Sequence, residues 1–457
     1  MTKNLTGGPP TRLIVLFTLP LLVGNLFQQL YAVTDAAVVG RILGVDALAS
    51  VGAAGGLHFL LIGFTFGCSG GLAIPIARAF GANDLPQTRR FVACGAIIAG
   101  AVATATTCVG ILGARSLLHV LATPPELVAD AEAFLIVSFA GAGVTMAYNF
   151  LASSIRALGD SRTPLVFLII ACVLNAGLVA LFIGKFSFGV GGAALATVLA
   201  QLVSVGLCLA LVAKRMPQLR PRRGDWKPRR AELAESARIG LTMGFQMSVI
   251  AVGAVVLQYA VNGLGADAVA AFTAAMRVDQ VAVAPLASFG LAMATYVAQN
   301  RGAGKWRRIR VGVFRISLVV LGVSLVLGAA VIGFGDQIVY LFVGGQAPQV
   351  TAMAHQYLSL NGMLYAILAM VFLLRNCIQG LGVTAVPTVA GFMELALRAA
   401  AGLLLVAPFG FLGACLAAPL AWVGAIIPLG ICWLVERRKL AARDCLPHSC
   451  RLAPAVG

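Results

Sequence analysis

The sequence predicts an all-α membrane protein of twelve transmembrane helices. These form two parallel six-helix lobes related by a pseudo-twofold axis along the membrane normal. Three observations carry that expectation. Apolar residues fall in blocks of about 20 or more, the length a bilayer requires. Basic residues alternate between dense and sparse loops. The second half of the chain repeats the first at an offset of 221 to 223 residues.

Composition excludes an ordinary soluble domain. Sixty per cent of the 457 residues are hydrophobic and only 11% are charged, where soluble proteins carry roughly a quarter. Mean hydropathy is +0.96. The apolar blocks place spans near 12–38, 51–78, 91–113, 128–154, 164–184, 191–213, 238–262, 268–298, 311–333, 350–375, 387–407 and 411–434. The first is too long for a cleavable signal and is interrupted by Asn25, Gln28 and Gln29.

A net charge of +17 would suit nucleic acid, but its distribution argues against that partner. The amino terminus, every second loop after it and the tail hold 28 of the 33 Lys and Arg. The opposite loops hold Arg41, Arg115 and Lys185, and Arg277 and Arg398 lie within spans. By the positive-inside rule this is a multi-pass inner-membrane protein with both termini cytoplasmic. Its basic loops face the anionic headgroups of the bilayer. Eight of ten cysteines lie in or beside apolar segments; Cys445 and Cys450 in the tail read as cytosolic thiols, with palmitoylation as the alternative. There is no CxxC pair, no HExxH and no convergent nucleophile. No catalytic residue, metal or cofactor is expected, and the chain does not read as an enzyme.

The repeat is visible residue by residue. LGVDALASVGAA from Leu43 matches LGADAVAAFTAA from Leu264, and 11 of the 40 positions through Ala82 and Ala303 are identical. RALGDSRTP from Arg156 matches QGLGVTAVP from Gln379, and GGAALA from Gly191 matches LGACLA from Leu412. Each half carries six spans, an even number, so the halves are parallel repeats. The expected organisation is an amino-terminal lobe over 1–213, a basic cytoplasmic linker over 214–236, a carboxyl-terminal lobe over 237–435 and a cytoplasmic tail over 436–457. The linker stretch KRMPQLRPRRGDWKPRR holds eight basic residues and three prolines, which argues for a solvated connector without a continuous helix.

The polar residues inside the spans are the candidate site. A carboxylate at the centre of a spanning helix costs roughly 2.5–3.5 kcal/mol on insertion scales, so Asp35 in NLFQQLYAVTDAAVVG is the most informative. Asn25, Gln28, Tyr31 and Asp35 are spaced to stack on one helical face. Span 4 adds Tyr148 and Asn149, span 5 adds Asn175, and span 6 adds Thr197 with Gln201 one turn later. The competing reading puts Asp35 at the outer interface, accompanied by Arg41, where a charge is cheap. The carboxyl-terminal lobe carries Arg277, Asp279, Glu394 and Arg398, whose charges sum to zero. They suit a structural network joining spans 8 and 11, with a Glu394–Arg398 bridge at i, i+4; a coupling or substrate role is the alternative. Methionines in the spans, such as Met146, Met243 and Met276, suit core filling more often than loose substrate binding.

Taken in order, Pro20 with QQLY and Asp35, the LGVDALA loop, FGAND, RALGDSRTP, Asn175, GVGGAALAT and VAQNRGAG make the chain resemble the multidrug and toxic compound extrusion (MATE) transporters over residues 12–435. The amino-lobe residues are most similar to the DNA-damage-inducible (DinF-like) prokaryotic branch. The major facilitator pattern does not fit, because FGANDLPQTRR is not a GxxxDRxGRR-like loop. The resemblance implies antiport: amphipathic, cationic small molecules leave by alternating access as H⁺ or Na⁺ enters. It places Gln28, Tyr31, Asp35, Asn149, Asn175 and Thr197 on amino-lobe cavity positions. The family's second acid, one turn after the span 5 asparagine, is here Val179.

What remains is a single-carboxylate switch. Low-dielectric surroundings favour a neutral carboxyl group, so protonation of Asp35 and a rearrangement of span 1 hinged at Pro20 would expel cargo. Asp35, Asn175 and Thr197 are the expected coupling-ion residues, with H⁺ preferred and Na⁺ the alternative. Gln28, Tyr31, Asn149 and Gln201 are expected to line the substrate cavity, and a monomer is expected. A flippase for a lipid-linked precursor is the competing function; an amino-lobe cavity with an acid and no arginine favours cationic or neutral cargo instead.

Overall fold

The computed structural model describes residues 4–120, 123–227, 229–343 and 348–444. Helices dominate it: α1 (Pro10–Leu43), α2 (Val45–Gly81), α3 (Leu85–Val120), α4 (Pro125–Ala140), α5 (Ala142–Ala157), α6 (Arg162–Gly184) and α7 (Gly189–Arg215). These are followed by α8 (Arg230–Asn262), α9 (Ala266–Gly302), α10 (Trp306–Val343), α11 (Pro348–Met363), α12 (Tyr365–Gly380), α13 (Ala385–Leu404), α14 (Val406–Phe409) and α15 (Phe411–Asp444). Among the described residues ten helices are individually long and apolar enough to cross a membrane, and two bent pairs raise the number to twelve if each pair is one span.

Those pairs are where spans 4 and 10 of the sequence reading differ from the structure. α4 and α5 meet at 47°, and α11 and α12 at 54°. The first break falls at Gly141, where an added Cβ would lie 2.1 Å from Val198 Cγ2. The second falls at Leu364, whose ψ of 8° leaves the α-region and whose N–H donates to the Asn361 carbonyl at 3.0 Å, a tighter turn than the α-helix makes.

The duplication is written into the backbone. Left-handed residues recur at the repeat offset: Gly44 with Gly265, Asn83 with Gly304, Gly159 with Gly382, and Gly189 with Gly410. Each sits in a turn between helices, where positive φ is cheap for glycine and tolerable for asparagine. Two of the turn motifs also cap helices. In RALGDSRTP, Asp160 Oδ1 accepts the backbone N–H of Arg162 and Thr163 at 3.1 and 3.0 Å, starting α6. In FGAND, Asp84 Oδ1 accepts the N–H of Gln87 at 2.8 Å, starting α3. An oxygen so placed satisfies amides that the helix itself leaves unpaired.

The chain packs as two compact units. The first comprises residues 1–4 and Val23–Ser248; the second comprises Leu5–Leu22 and Val249–Gly457. α1 and α8, the opening helices of the two repeats, are therefore each divided between the units. In the first unit α8 crosses α2 on glycines. An added Cβ on Gly67 would lie 2.5 Å from the Met243 carbonyl oxygen, and one on Gly71 would lie 2.7 Å from that of Ile239. Gly240 and Gly244 face them from α8. Small residues four apart let membrane helices approach backbone to backbone. Gly67→Leu is expected to destabilise the protein by about 1–3 kcal/mol through overpacking, read as a lowered thermal unfolding midpoint in detergent.

The linker is more ordered than a solvated connector. Two short 3₁₀ turns, Pro217–Leu219 and Arg223–Trp226, run through it, and Met216 and Leu219 are buried. Ion pairs tie it to the first unit: Arg89 with Asp225 at 3.3 Å, Arg90 with Glu232 at 2.9 Å and Arg78 with Glu235 at 2.5 Å. In the second unit Leu5 is buried, its N–H donates to Gln299 Oε1 at 2.9 Å, and Lys305 Nζ donates to the Thr6 carbonyl at 2.8 Å. The expected tail begins as helix: α15 runs to Asp444, held by Arg310 at 2.7 Å. Its remainder, with Cys445 and Cys450, lies outside the described residues.

Candidate functional site

Asp35 lies eight residues before the end of α1, about 12 Å along the helix axis at 1.5 Å per residue. It is half-buried. Arg41 does not accompany it; among the described residues neither side chain makes an ion pair. Its partners come instead from α6 and α7. Asn175 Nδ2 donates to Asp35 Oδ1 at 2.5 Å, and Asn175 is 1% exposed. Thr197 Oγ1 lies 3.4 Å from Asp35 Oδ2, 3.4 Å from Asn175 Oδ1 and 3.1 Å from the Ala193 carbonyl. A hydroxyl has one hydrogen to share among these three acceptors. The amide of Asn175 is therefore the firm partner, and Thr197 can alternate. One helical turn before Asp35, the Tyr31 hydroxyl is buried without a hydrogen-bond partner among the described residues.

The absent second acid has a packing consequence. Val179 is fully buried and joins Val39, Ala193 and Ala196 in an apolar cluster of the first unit. Val179 therefore supplies hydrocarbon, not a second carboxylate, at that position.

The other amino-lobe candidates are not drawn into this cluster. Gln201 Oε1 accepts the Thr145 hydroxyl at 2.6 Å, joining α7 to α5. Asn149 is buried one turn beyond Thr145, and the Tyr148 hydroxyl lies 3.4 Å from the Pro164 carbonyl. Gln28 is exposed on α1. The first unit also holds a cavity of about 580 Å³, lined by apolar residues of α3, α5 and α7 and bordered by Leu219, Arg220, Pro221 and Trp226 of the linker. None of the predicted polar residues lines it.

In the second unit the expected Glu394–Arg398 bridge is replaced. Glu394 pairs with Arg375 of α12, both side chains being almost fully buried. Arg375 closes the apolar block 350–375, and it was the signal available in the sequence: a second intramembrane charge able to meet Glu394. Asp279 accepts the Tyr365 hydroxyl at 2.6 Å, and it lines a cavity of about 330 Å³ with Arg277 and Arg398. Among the described residues no three His, Cys, Asp or Glu side chains converge as a metal-binding group.

Comparison with known proteins agrees with this architecture. The MatE family model matches residues 20–181 and again 242–404, once in each repeat. The chain is 29% identical over 381 residues to the probable multidrug resistance protein YpnP of Bacillus subtilis, covering 83% of this chain and 84% of that one. It is 22% identical over 315 residues to the FAD transporter of Shewanella oneidensis, covering 67% and 69%. Among solved structures, a MATE transporter in complex with MaL6 superposes with a TM-score of 0.87 at 22% identity, covering 97% of this chain and 99% of that one. A MOP superfamily transporter from Pyrococcus furiosus gives 0.86 at 21% identity, covering 96% and 98%.

Proposed function

The chain belongs to the MatE family of multi-pass membrane transporters, and from that premise we propose that it is a proton-coupled exporter of amphipathic, cationic small molecules. It works by alternating access in the inner membrane as a monomer, with both termini cytoplasmic, and belongs to the DNA-damage-inducible branch. The observation that carries the coupling is the Asp35 carboxylate, held by neutral Asn175 and Thr197 and, among the described residues, by no cation. A charge that no cation neutralises within a membrane helix can be answered by a proton or by a cationic cargo, and the two compete. Cargo binds the ionised form. Protonation from outside removes the attraction, and a rearrangement of α1, which carries Pro20 within it, releases the cargo.

Proton coupling is preferred over Na⁺ on two grounds. The Asn175 amide meets Asp35 with its N–H₂, so its own oxygen could join that carboxylate in holding a metal ion only if the amide turned. Val179 also withholds the second acid. Gln28, Tyr31, Asn149 and Gln201 then serve the cargo rather than the ion.

Efflux of a cationic dye from right-side-out vesicles, driven by one imposed gradient at a time, tests this. A proton gradient alone is expected to drive efflux. Efflux driven by Na⁺ alone, and absent with H⁺ alone, would contradict proton coupling. As the pH on the release side rises, Asp35 keeps its charge and its cargo, so efflux is expected to slow.

A further inference from the structure

The cavity of about 330 Å³ in the second unit has a charge and lining of its own. It is walled by α8, α9, α11, α13 and α15. Its size lies within the range of small-molecule sites, roughly 300–1,000 Å³. Two guanidinium groups line it, Arg277 and Arg398, with one carboxylate, Asp279. Ionised, the three leave a net charge of +1.

Among the described residues neither arginine is taken up by an ion pair, although Arg398 acts electrostatically on Asp279 within the cavity. Glu394, the neighbour that i, i+4 spacing offers to Arg398, is taken by Arg375. Among the described residues neither Arg277 nor Arg398 makes an ion pair, and the buried Arg398 Nε has no hydrogen-bond partner. The Arg398 stem lies against α8 at Gly253, where an added Cβ would be 3.6 Å from Arg398 Cδ. Asp279 is engaged by the Tyr365 hydroxyl at 2.6 Å. Three aromatic residues share the wall with Gln258, Thr273, Gln280 and aliphatic side chains: Phe272 and Tyr357 pack edge to face with centroids 5.4 Å apart, and Trp422 is the third.

We propose that this cavity binds the carboxylate of an aromatic organic anion. A guanidinium offers a planar fork of donors that matches a carboxylate bidentately. A single negative charge neutralises the +1 lining, whereas a multiply charged phosphate would leave the cavity with a net negative charge. The aromatic wall takes the ring. Resting on the reading of the chain as an exporter, this extends its cargo from cations to aromatic acids and zwitterions.

Equilibrium binding to the purified full chain in nanodiscs tests the proposal, with 2-naphthoate and 2-naphthylmethylammonium as paired probes. The wild type is expected to prefer the carboxylate. Arg277→Gln and Arg398→Gln are each expected to weaken 2-naphthoate binding by about tenfold, the worth of a charged hydrogen bond, and to erase the preference. Arg277→Lys, which keeps the charge, is expected to restore part of it, and matching size-exclusion profiles separate lost binding from lost folding. Equal binding of the two probes by the wild type, or unchanged 2-naphthoate affinity in both Gln variants, would overturn the proposal. So would displacement by inorganic pyrophosphate at equal concentration. Because no gradient is used, the outcomes are separable from transport. Vesicles that export a cationic dye while the chain ignores 2-naphthoate sink the cavity assignment alone. Arginine-dependent 2-naphthoate binding without any efflux sinks the exporter reading alone.

Discussion

Asp35→Asn is expected to reduce gradient-driven efflux to the level of empty vesicles while leaving a folded protein in the membrane. Asparagine keeps the shape of the side chain and can still meet Asn175 and Thr197 across the 2.5 and 3.4 Å contacts. What it cannot do is change charge. The expected change in stability is therefore small, about 1 kcal/mol, the net worth of an ordinary hydrogen bond. Thr197→Val is the graded counterpart. It removes an alternating partner and leaves the carboxylate, so it should slow efflux without abolishing it. Dye efflux from right-side-out vesicles, paired with thermal unfolding of the same preparations, separates loss of coupling from loss of fold. Efflux at the wild-type rate in Asp35→Asn would remove that carboxylate from the mechanism.

The second large effect is structural. Arg375 and Glu394 are buried against each other in the second unit, joining α12 to α13. Removing one partner strands the other as an uncompensated charge, which costs about 3–5 kcal/mol. Arg375→Met is expected to lower the unfolding midpoint sharply and to reduce yield from the membrane. The double change Arg375→Met with Glu394→Leu should recover most of that loss, because burying two apolar groups avoids the desolvation of two ions. A double variant no better than the single one would contradict the pairing.

These two sites also show how much was legible in the sequence. The spans, the duplication and the turn chemistry were readable because each leaves a local signal: apolar length, a repeated LG-x-DA loop, and glycines at positions of positive φ such as Gly44 and Gly265. Asp35, Asn175 and Thr197 stood out because polar groups in apolar runs are costly, and the structure joins them. Spacing alone could not say which polar residues would be kept apart. Gln201 turns to Thr145, and Gln28 stays exposed. Glu394 illustrates the limit most plainly. Local i, i+4 geometry pointed to Arg398, and a residue on another helix took its place, because tertiary packing decides which buried charges meet. The burial of Leu5 and the docking of the linker through Asp225 and Glu232 depend on distant partners that no local pattern marks.

The central claim is that cargo and proton compete for one carboxylate. Adding a cationic dye to the purified protein in weakly buffered solution, near the pH at which Asp35 is partly protonated, measures this directly. The account predicts that the wild type releases protons on binding and that Asp35→Asn releases none. Dye binding without proton release by the wild type, or equal release by the Asp35→Asn variant, would contradict it.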